Sequence, residues 1–246
     1  MGNLAIIGGT GFEKLPPEFF GETISVDVAN TEVEVMSIAD NYIEPRSIYF
    51  LSRHGRGHHL APHQIDYRAN IEALVKLGVK KILATNAVGS LRGDLTPGTL
   101  LIPHDFIDFT RKRPLTYFVG SEWRHTDFSE PYSPVIRNAL LRAAEELDVP
   151  VVSRGIYVAV DGPRFETPAE VRMFALLGGD VVGMTGVQEA ILSREAGLEY
   201  GTVCLVTNYA AGLSLEPIDH EAVSKMMRDH IPTIREMLFQ AAHLLC

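Results

Sequence analysis

Six short apolar runs along the chain each end in a cluster of glycine and small polar residues. The runs cover residues 5–7, 48–51, 82–84, 157–160, 181–182 and 203–206. Strands of a parallel sheet have this pattern, because helices cover both faces and no alternation of polar and apolar residues is needed. Ligands of such sheets bind beyond the carboxyl ends of the strands. The pattern therefore predicts that the six polar clusters meet at one pocket.

The segments between these runs predict a hairpin and a series of helices. Residues 23–36 alternate between apolar and polar positions, as the strands of a half-exposed antiparallel hairpin do. The helices are expected to begin after Asp66, Ser133, Thr167 and Thr185, and the last to cover about 219–245. At Thr167 and Thr185 the spacing to Glu170 and Gln188 fits a capping box.

These elements predict an α/β fold with one mixed, mostly parallel sheet flanked by helices. The elements alternate along the whole chain, with no repeat and no linker rich in Pro, Ser or Gly, so a single domain over residues 1–246 is expected. Residues 111–131 have weak periodicity and predict a long loop, which in a compact domain is more often functional than idle.

Charge and cysteine content narrow the class of protein. The net charge is −9 and the basic residues are scattered, which argues against a nucleic-acid partner; the Arg111–Arg113 run is interpreted as a solvated loop. No apolar stretch approaches the roughly 20 residues of a spanning helix, and no signal peptide is found, so a membrane partner is not expected. With only Cys204 and Cys246, a reducing compartment and a cytoplasmic location are predicted.

Four of the predicted strand ends carry groups suited to an anion. The Gly8–Gly11 turn offers backbone N–H groups, and Arg53 with His54 follows the next predicted strand. Thr185 begins a helix, and residues 86–87 follow a third strand. Each group alone has an ordinary alternative: a tight turn, a surface ion pair or a helix cap. Together they predict a site for one tetraoxyanion such as phosphate.

A second group of residues suits a heterocycle. Glu166 can only accept a hydrogen bond when ionised, whereas the Asn208 amide both donates and accepts, and Phe165 could stack on a ring. The alternatives are a helix-dipole role for Glu166 and a turn role for Asn208. His58, His59 and His63 lack accompanying carboxylate or Cys spacing, so a polar loop is favoured there and no metal site is predicted.

The chain resembles the trimeric purine nucleoside phosphorylase and methylthioadenosine phosphorylase family over essentially its full length. The motifs that carry the resemblance are IIGGTG at 6–11, RHG at 53–55, PHQIDYRANIEAL at 62–74, TNAVGS at 85–90, DGPRFET at 161–167 and GMT at 183–185. The resemblance implies a pentosyltransferase of purine salvage, in which phosphate attacks the anomeric carbon and releases base and ribose 1-phosphate. It also implies a homotrimer or a dimer of trimers, with inorganic phosphate as co-substrate and no cofactor.

The resemblance assigns roles to individual residues. Its implied phosphate site consists of Thr10, Arg53, His54, Asn86, Ala87 and Thr185, and its implied nucleoside site of Phe165, Glu166, Met184, Asn208, Ala210, His220 and His125. Asn208 and His54 are the expected catalytic residues, Asn208 by donating to purine N7. Met184 is expected to line the ribose, and His125 to reach the active site of a neighbouring subunit.

The resemblance also separates the branches by substrate. The methylthioadenosine branch has serine in place of Glu166 and aspartates in place of Asn208 and Ala210, whereas Glu166 with Asn208 matches the branch acting on 6-oxopurines. A carboxylate accepts from N1–H of hypoxanthine or guanine, and a site built on such a bond can discriminate by roughly 10⁴–10⁵. Inosine and guanosine are the expected substrates, and His220 is expected at their 5′-hydroxyl.

Other activities stay open from the sequence. The spacing of Arg53, His54 and Gly55 is of the methylthioadenosine type, so a methylthioinosine or methylthioadenosine phosphorylase is the alternative. A hydrolytic nucleosidase would cleave without phosphate. A dinucleotide-binding oxidoreductase would need an acidic residue about 20 positions after the first glycine turn, and the candidates there, Glu32 and Glu34, fall in the hairpin. A non-catalytic nucleoside-binding module is the remaining option.

Overall fold

Parallel pairing dominates an 11-stranded sheet in the part of the chain that the computed structural model describes, residues 3–12, 17–29, 31–38, 48–215 and 218–245. The strands are β1 Asn3–Gly8, β2 Phe20–Val28, β3 Thr31–Ile38, β4 Ile48–Ser52, β5 Val79–Ser90, β6 Leu100–Leu101, β7 Asp105–Asp108, β8 Val151–Val152, β9 Ile156–Ala159, β10 Val181–Gly183 and β11 Glu199–Tyr209. The helices are α1 Tyr67–Lys76, α2 Pro134–Glu146, α3 Pro168–Leu176, α4 Gly186–Glu195 and α5 His220–Leu245.

The sheet confirms the predicted mixed, mostly parallel α/β class. Its main path is β2-β3-β4-β1-β5-β10-β9-β7, and β11 branches from β5 and continues through β6 to β8. β1 is parallel to β4 and β5, β5 to β11, β9 to β7 and β10, and β6 to β8. The β2–β3 pair is antiparallel, so the predicted hairpin is also confirmed.

β5 and β11 are longer than their apolar runs. The run at 82–84 was expected to end the strand, but β5 continues through residues 85–90, and β11 likewise includes Asn208. The polar residues stay inside the sheet because their neighbours satisfy them: Asn86 donates through Nδ2 to Thr202 Oγ1 at 2.7 Å. Asn86 and Asn208 therefore lie within strands and not in loops after them.

Helices cover both faces of the sheet. On one face, Ile136 and Leu140 of α2 and Leu238 of α5 pack with the strand residues Ile6 and Leu205. On the other face, α1 and α4 cover the sheet through Ile71, Leu74, Ala190 and Leu192. Among the described helices, none combines the length and the apolar character needed to cross a bilayer.

Three of the predicted helix starts have the expected side-chain caps. Asp66 accepts from the backbone N–H of Ala69, and Ser133 accepts from that of Ile136. Thr167 begins α3 with a full capping box, in which Glu170 returns a hydrogen bond to the N–H of Thr167. These caps fix the chain entering α1, α2 and α3.

Candidate active site

A cavity of about 440 Å³ lies where β1, β4, β5, β10 and β11 come together. Nine of the residues predicted from the sequence line it: Thr10, Arg53, His54, Ala87, Phe165, Glu166, Met184, Thr185 and Asn208. Residues from distant parts of the sequence therefore share one concave site, as expected for an enzyme pocket.

Arg53 is only 1% exposed and is held by Glu189 of α4. Its Nε donates to Glu189 Oε1 at 2.5 Å and its Nη2 to Oε2 at 2.8 Å, while Nη1 donates to the carbonyl oxygen of Thr85 at 2.8 Å. The sequence analysis did not predict this partner: a buried guanidinium needs one, and Glu189 occupies one side of it. Burial alone would lower the pKa of Arg53, but Glu189 outweighs it and raises that pKa, so Arg53 is charged.

The glycine turn after β1 makes room for Arg53. A Cβ atom on Gly9 would lie 2.3 Å from Arg53 Nη1, closer than any side chain could stand. The N–H of Gly9 faces Thr85 Oγ1, 3.3 Å away, and the carbonyl oxygen of Gly8 accepts from the N–H of Arg53. The absence of a side chain on Gly9 thus leaves space for the Arg53 guanidinium. The Gly9 N–H is paired with Thr85 within the protein.

Thr185 lines the cavity, but it does not cap α4. The predicted capping box is wrong: Thr185 makes no side-chain cap hydrogen bond, and its hydroxyl donates instead to Asn86 Oδ1 at 2.8 Å. Asn86 is 2% exposed and is not among the residues lining the cavity. The structure therefore positions Asn86 behind Thr185, where it orients the threonine hydroxyl.

His54 stands beside Arg53 with a defined ring orientation. Its Nδ1 lies 2.8 Å from the carbonyl oxygen of Leu60, which can only accept, so Nδ1 carries a proton. In the neutral ring this leaves Nε2 as the acceptor. The ring stacks on His58 with 4.2 Å between centroids. Within the described ranges, no group of three or more His, Cys, Asp or Glu side chains is arranged to hold a metal ion.

Glu166 and Asn208 lie at the wall of the same cavity. Glu166 is 7% exposed, and burial raises the pKa of its carboxyl above the ordinary value of 4.5. Asn208 accepts through Oδ1 from the Thr207 hydroxyl at 2.8 Å and donates through Nδ2 to the oxygen of Tyr209 at 2.9 Å. Thr207 therefore fixes which way the Asn208 amide faces.

Gly162 allows the turn before Glu166 to pass close to Met184. Its φ is +66°, and a Cβ there would lie 2.4 Å from the Met184 sulfur. Both the left-handed conformation and the close approach require glycine. The turn thereby brings Phe165 and Glu166 to the wall that Met184 lines.

Arg113 supports this wall through hydrogen bonds, a role that the sequence analysis did not predict. Only 2% of its side chain is exposed, so the interpretation of residues 111–113 as a solvated loop is wrong for this residue. Its Nη2 donates to the carbonyl oxygens of Asp161 and Met184, and its Nη1 donates to Tyr67 Oη at 2.7 Å. The sequence of three basic residues at 111–113 does not indicate which of them is buried against hydrogen-bond acceptors.

Glu189 was also missed by the sequence analysis. Residues 186–193 of α4 are all buried, so Glu189 is a charge inside a helix without a polar face. Such a charge requires a buried partner of opposite sign. The burial that creates this requirement is seen only in the structure, because polar neighbours such as Gln188, Ser193 and Arg194 give α4 the composition of an exposed helix.

Besides Asn86, the predicted site residues Ala210, His125 and His220 are not among the residues described as lining the cavity. Ala210 is 2% exposed and packs with Val182 and Leu91. His125 is exposed in the long loop, with its ring 5.2 Å from that of Trp123. His220 begins α5, and its side chain lies outside the described part of the structure.

Comparison with known proteins gives the family. The profile of the phosphorylase superfamily matches residues 3–241. The chain belongs to this superfamily. It is 44% identical to the 6-oxopurine nucleoside phosphorylase of Pyrococcus furiosus, over 100% of this chain and 94% of that protein. It is also 44% identical to the "Probable S-methyl-5'-thioinosine phosphorylase" of Methanopyrus kandleri, over 97% and 91% of the two chains.

Among solved structures, methylthioadenosine phosphorylase from Schistosoma mansoni in complex with adenine superposes with a TM-score of 0.91. The identity is 30%, and the match covers 100% of this chain and 92% of that one. The predicted resemblance and the class of enzyme, a nucleoside phosphorylase, are confirmed for this member of the phosphorylase superfamily. The single domain over residues 1–246 and the roles of individual residues stay predictions.

Proposed function

We propose that this phosphorylase cleaves 6-oxopurine nucleosides, inosine and guanosine, with inorganic phosphate, and releases the free base and ribose 1-phosphate. One observation carries the proposal: the cavity wall contains both a charged, buried Arg53 and a buried Glu166 carboxylate. A cation for phosphate and an acceptor for a ring N–H are the two groups that this reaction requires.

The phosphate end of the cavity is assigned to Thr10, Arg53, His54, Ala87 and Thr185. Arg53 supplies the positive charge, and the Thr10 hydroxyl can donate to an anion oxygen. The Thr185 hydroxyl has a single proton, which it donates to Asn86, so it donates to the anion only by turning away from Asn86. Asn86 acts through Thr185 and makes no contact of its own in this proposal. These groups favour phosphorolysis over hydrolysis, because a nucleosidase needs no such anion site.

The base end is assigned to Phe165, Glu166 and Asn208. N1–H of a 6-oxopurine can donate to Glu166, whereas adenine N1 is an acceptor and would face the carboxylate unpaired. The amide N–H of Asn208 that is not used on Tyr209 can donate to purine N7. As the C1′–N9 bond breaks, its electron pair moves onto the purine, and a donor at N7 stabilises that charge by about 2.7–4 kcal/mol in comparable sites.

A second substrate, S-methyl-5′-thioinosine, is favoured by one feature of the cavity. Val223 of α5 lines it, and an apolar side chain suits a methylthio group better than a 5′-hydroxyl. A relative 44% identical is named for that substrate. The predicted contact of His220 with a 5′-hydroxyl would favour inosine instead and belongs to this proposal.

A homotrimer, or a dimer of trimers, in the cytoplasm completes the proposal. The first part of the long loop is fastened to its own chain, since Tyr117 N–H donates to Glu195 and Arg68 donates to the oxygen of Thr116. Trp123 beyond it is 66% exposed, next to His125. An exposed aromatic at a loop tip fits a contact with a second subunit, to whose active site His125 would be lent.

The test is release of base from inosine, guanosine, adenosine, methylthioinosine and methylthioadenosine, each with and without phosphate. We expect phosphate-dependent release from the 6-oxopurine nucleosides and at least about 10³-fold lower kcat/KM for the adenine nucleosides. Preference for adenosine or methylthioadenosine would overturn the assignment of Glu166. Equal release without phosphate would show a hydrolase.

A further inference from the structure

We propose that Glu189 is a positioning residue for phosphate: its carboxylate, held by Tyr200, fixes the guanidinium of Arg53 in the direction that an anion in the cavity requires. The inference rests on the proposed function, since it takes phosphate as the ligand of Arg53. Glu189 is not among the residues that line the cavity and acts through Arg53.

The three side chains form one buried chain of contacts. Arg53 and Glu189 are each 1% exposed, and Tyr200 is 2% exposed. The Glu189 carboxylate accepts hydrogen bonds from Nε and Nη2 of Arg53, and its Oε2 also accepts one from the Tyr200 hydroxyl at 2.8 Å. The carboxylate thus has contacts on both oxygens and cannot rotate without breaking one of them.

These contacts select the part of Arg53 that is left for a ligand. A guanidinium has five N–H bonds in a planar fork. Two point to Glu189 and a third points to the Thr85 carbonyl, so one on Nη1 and one on Nη2 remain. Arg53 lines the cavity and Nη1 lies against Gly9, next to Thr10. Glu189 thereby determines which N–H groups meet the anion.

Positioning differs from mere neutralisation of a buried charge. If Glu189 only balanced Arg53, any carboxylate within a few ångströms would serve. If it positions Arg53, the carboxylate must stand at one distance and in one plane, because a bidentate pair fixes geometry as well as charge. Glu189→Asp keeps the charge but withdraws the carboxylate by one methylene, so it separates the two roles.

The experiment measures KM for phosphate and for inosine in Glu189→Asp, Glu189→Gln and Tyr200→Phe, with the thermal midpoint of each. We expect the phosphate KM to rise by about tenfold or more in both Glu189 variants and by roughly two- to fivefold in Tyr200→Phe, with the inosine KM within about twofold of wild type. Glu195→Gln on the same helix, whose carboxylate accepts from the Tyr117 N–H, is the matched control.

Two results would overturn the inference. One is an unchanged phosphate KM in a folded Glu189→Asp variant; the other is an equal rise in both Michaelis constants, which is what general loosening of the site would produce. If the Glu189 variants do not fold, Tyr200→Phe carries the test alone, and an unchanged phosphate KM there overturns it.

Failure of the proposed function would be recognised separately. A wild-type protein that cleaves none of the five nucleosides would contradict that proposal. Calorimetric titration of wild type and Tyr200→Phe with inorganic phosphate would then test Glu189 directly. We expect weaker binding in the variant, and equal binding or binding by neither protein would overturn the inference.

Discussion

Arg113 in the long loop donates through Nη2 to the main-chain oxygen of Met184, 3.0 Å away, on the wall of the candidate cavity. The same nitrogen reaches the carbonyl oxygen of Asp161 at 2.6 Å, at the start of the turn that carries Glu166. One buried side chain therefore connects the loop, the turn and the cavity wall. The loop that sequence patterning left without structure is fastened to the site at this point.

Replacement of Arg113 by methionine should weaken nucleoside binding more than phosphate binding. The variant leaves buried carbonyl groups without donors, which costs about 1–3 kcal/mol for each group left unpaired. We expect the inosine KM to rise by about tenfold and the phosphate KM to change by less than about twofold, measured by steady-state kinetics. Lys112→Met, at an exposed neighbouring position, is the control and should behave as wild type. Equal kinetics in both variants would contradict a supporting role for Arg113.

Replacement of Glu166 by glutamine should change the preference for the base. An amide can donate as well as accept, so it can pair with adenine N1, which the carboxylate cannot. We expect kcat/KM for inosine to fall by about a hundredfold or more and the ratio of inosine to adenosine turnover to fall with it. The ratio of inosine to methylthioinosine should stay constant, because these substrates differ only at the 5′ position. An unchanged inosine to adenosine ratio would remove Glu166 from base recognition.

The raised pKa of Glu166 predicts an acid limb in the pH profile. Burial raises that pKa above 4.5, so the carboxyl gains its proton at a higher pH than an ordinary glutamate. A protonated carboxyl has its own O–H donor and is a weaker acceptor for N1–H of the base. We therefore expect kcat/KM for inosine to fall as the pH is lowered through the raised pKa of Glu166. In Glu166→Gln the part of the acid limb due to this group should be absent. An identical limb in the variant would assign the titration to another group.

The same shift has a consequence for stability with a defined sign. The folded state binds the Glu166 proton more tightly than the unfolded state does, so the free energy of unfolding should decrease as the pH rises from about 4.5 through the raised pKa. Urea unfolding of wild type and Glu166→Gln across this range would measure it. The variant should be the more stable of the two above that window, and a parallel pH dependence of both proteins would contradict the assignment.

Replacement of Thr167 by alanine should destabilise the protein by about 0.5–2 kcal/mol, the usual contribution of a threonine helix cap. Thr167 Oγ1 accepts from the Glu170 N–H, and Glu170 is held in turn by Arg164, which lowers the pKa of its carboxyl to about 2. Thr167→Ser keeps the cap and is the matched control. Thermal or urea unfolding measures the effect, and equal midpoints for the two variants would show that the cap is dispensable.

Sequence patterning predicted the elements well where a local rule determines them. Apolar runs located β1, β4, β9 and β10, and the caps at Asp66, Ser133 and Thr167 follow from side-chain chemistry within a few residues. Nine predicted site residues also line one cavity, because the segments that carry them lie at or next to neighbouring strands of the sheet. The pattern of strand ends had already named seven of the nine, and the family resemblance added Thr10 and Met184.

The errors concern side chains whose partners are distant in the sequence. Thr185 has the local pattern of a helix cap, but its hydroxyl donates to the buried Asn86 side chain and does not cap α4. Arg53 was predicted as an anion ligand, but not its pairing with Glu189. Arg113 was interpreted as part of a solvated loop, and its two main-chain acceptors were not predicted. Only the fold determines which distant groups become neighbours, so no reading of local pattern could identify these pairs.

The unbroken course of β5 has a consequence for how the enzyme handles its two substrates. Thr85, whose carbonyl steadies Arg53, and Gly89, whose Cβ position would lie 3.4 Å from Asn208 Nδ2, are four residues apart on one strand. At about 3.3 Å per residue, the backbone alone spaces them by roughly 13 Å. The Arg53 end and the Asn208 end of the cavity are both in contact with this one strand, and no hinge between separate elements lies between them. Under the proposed function, phosphate and base would therefore be held at one constant spacing throughout the reaction.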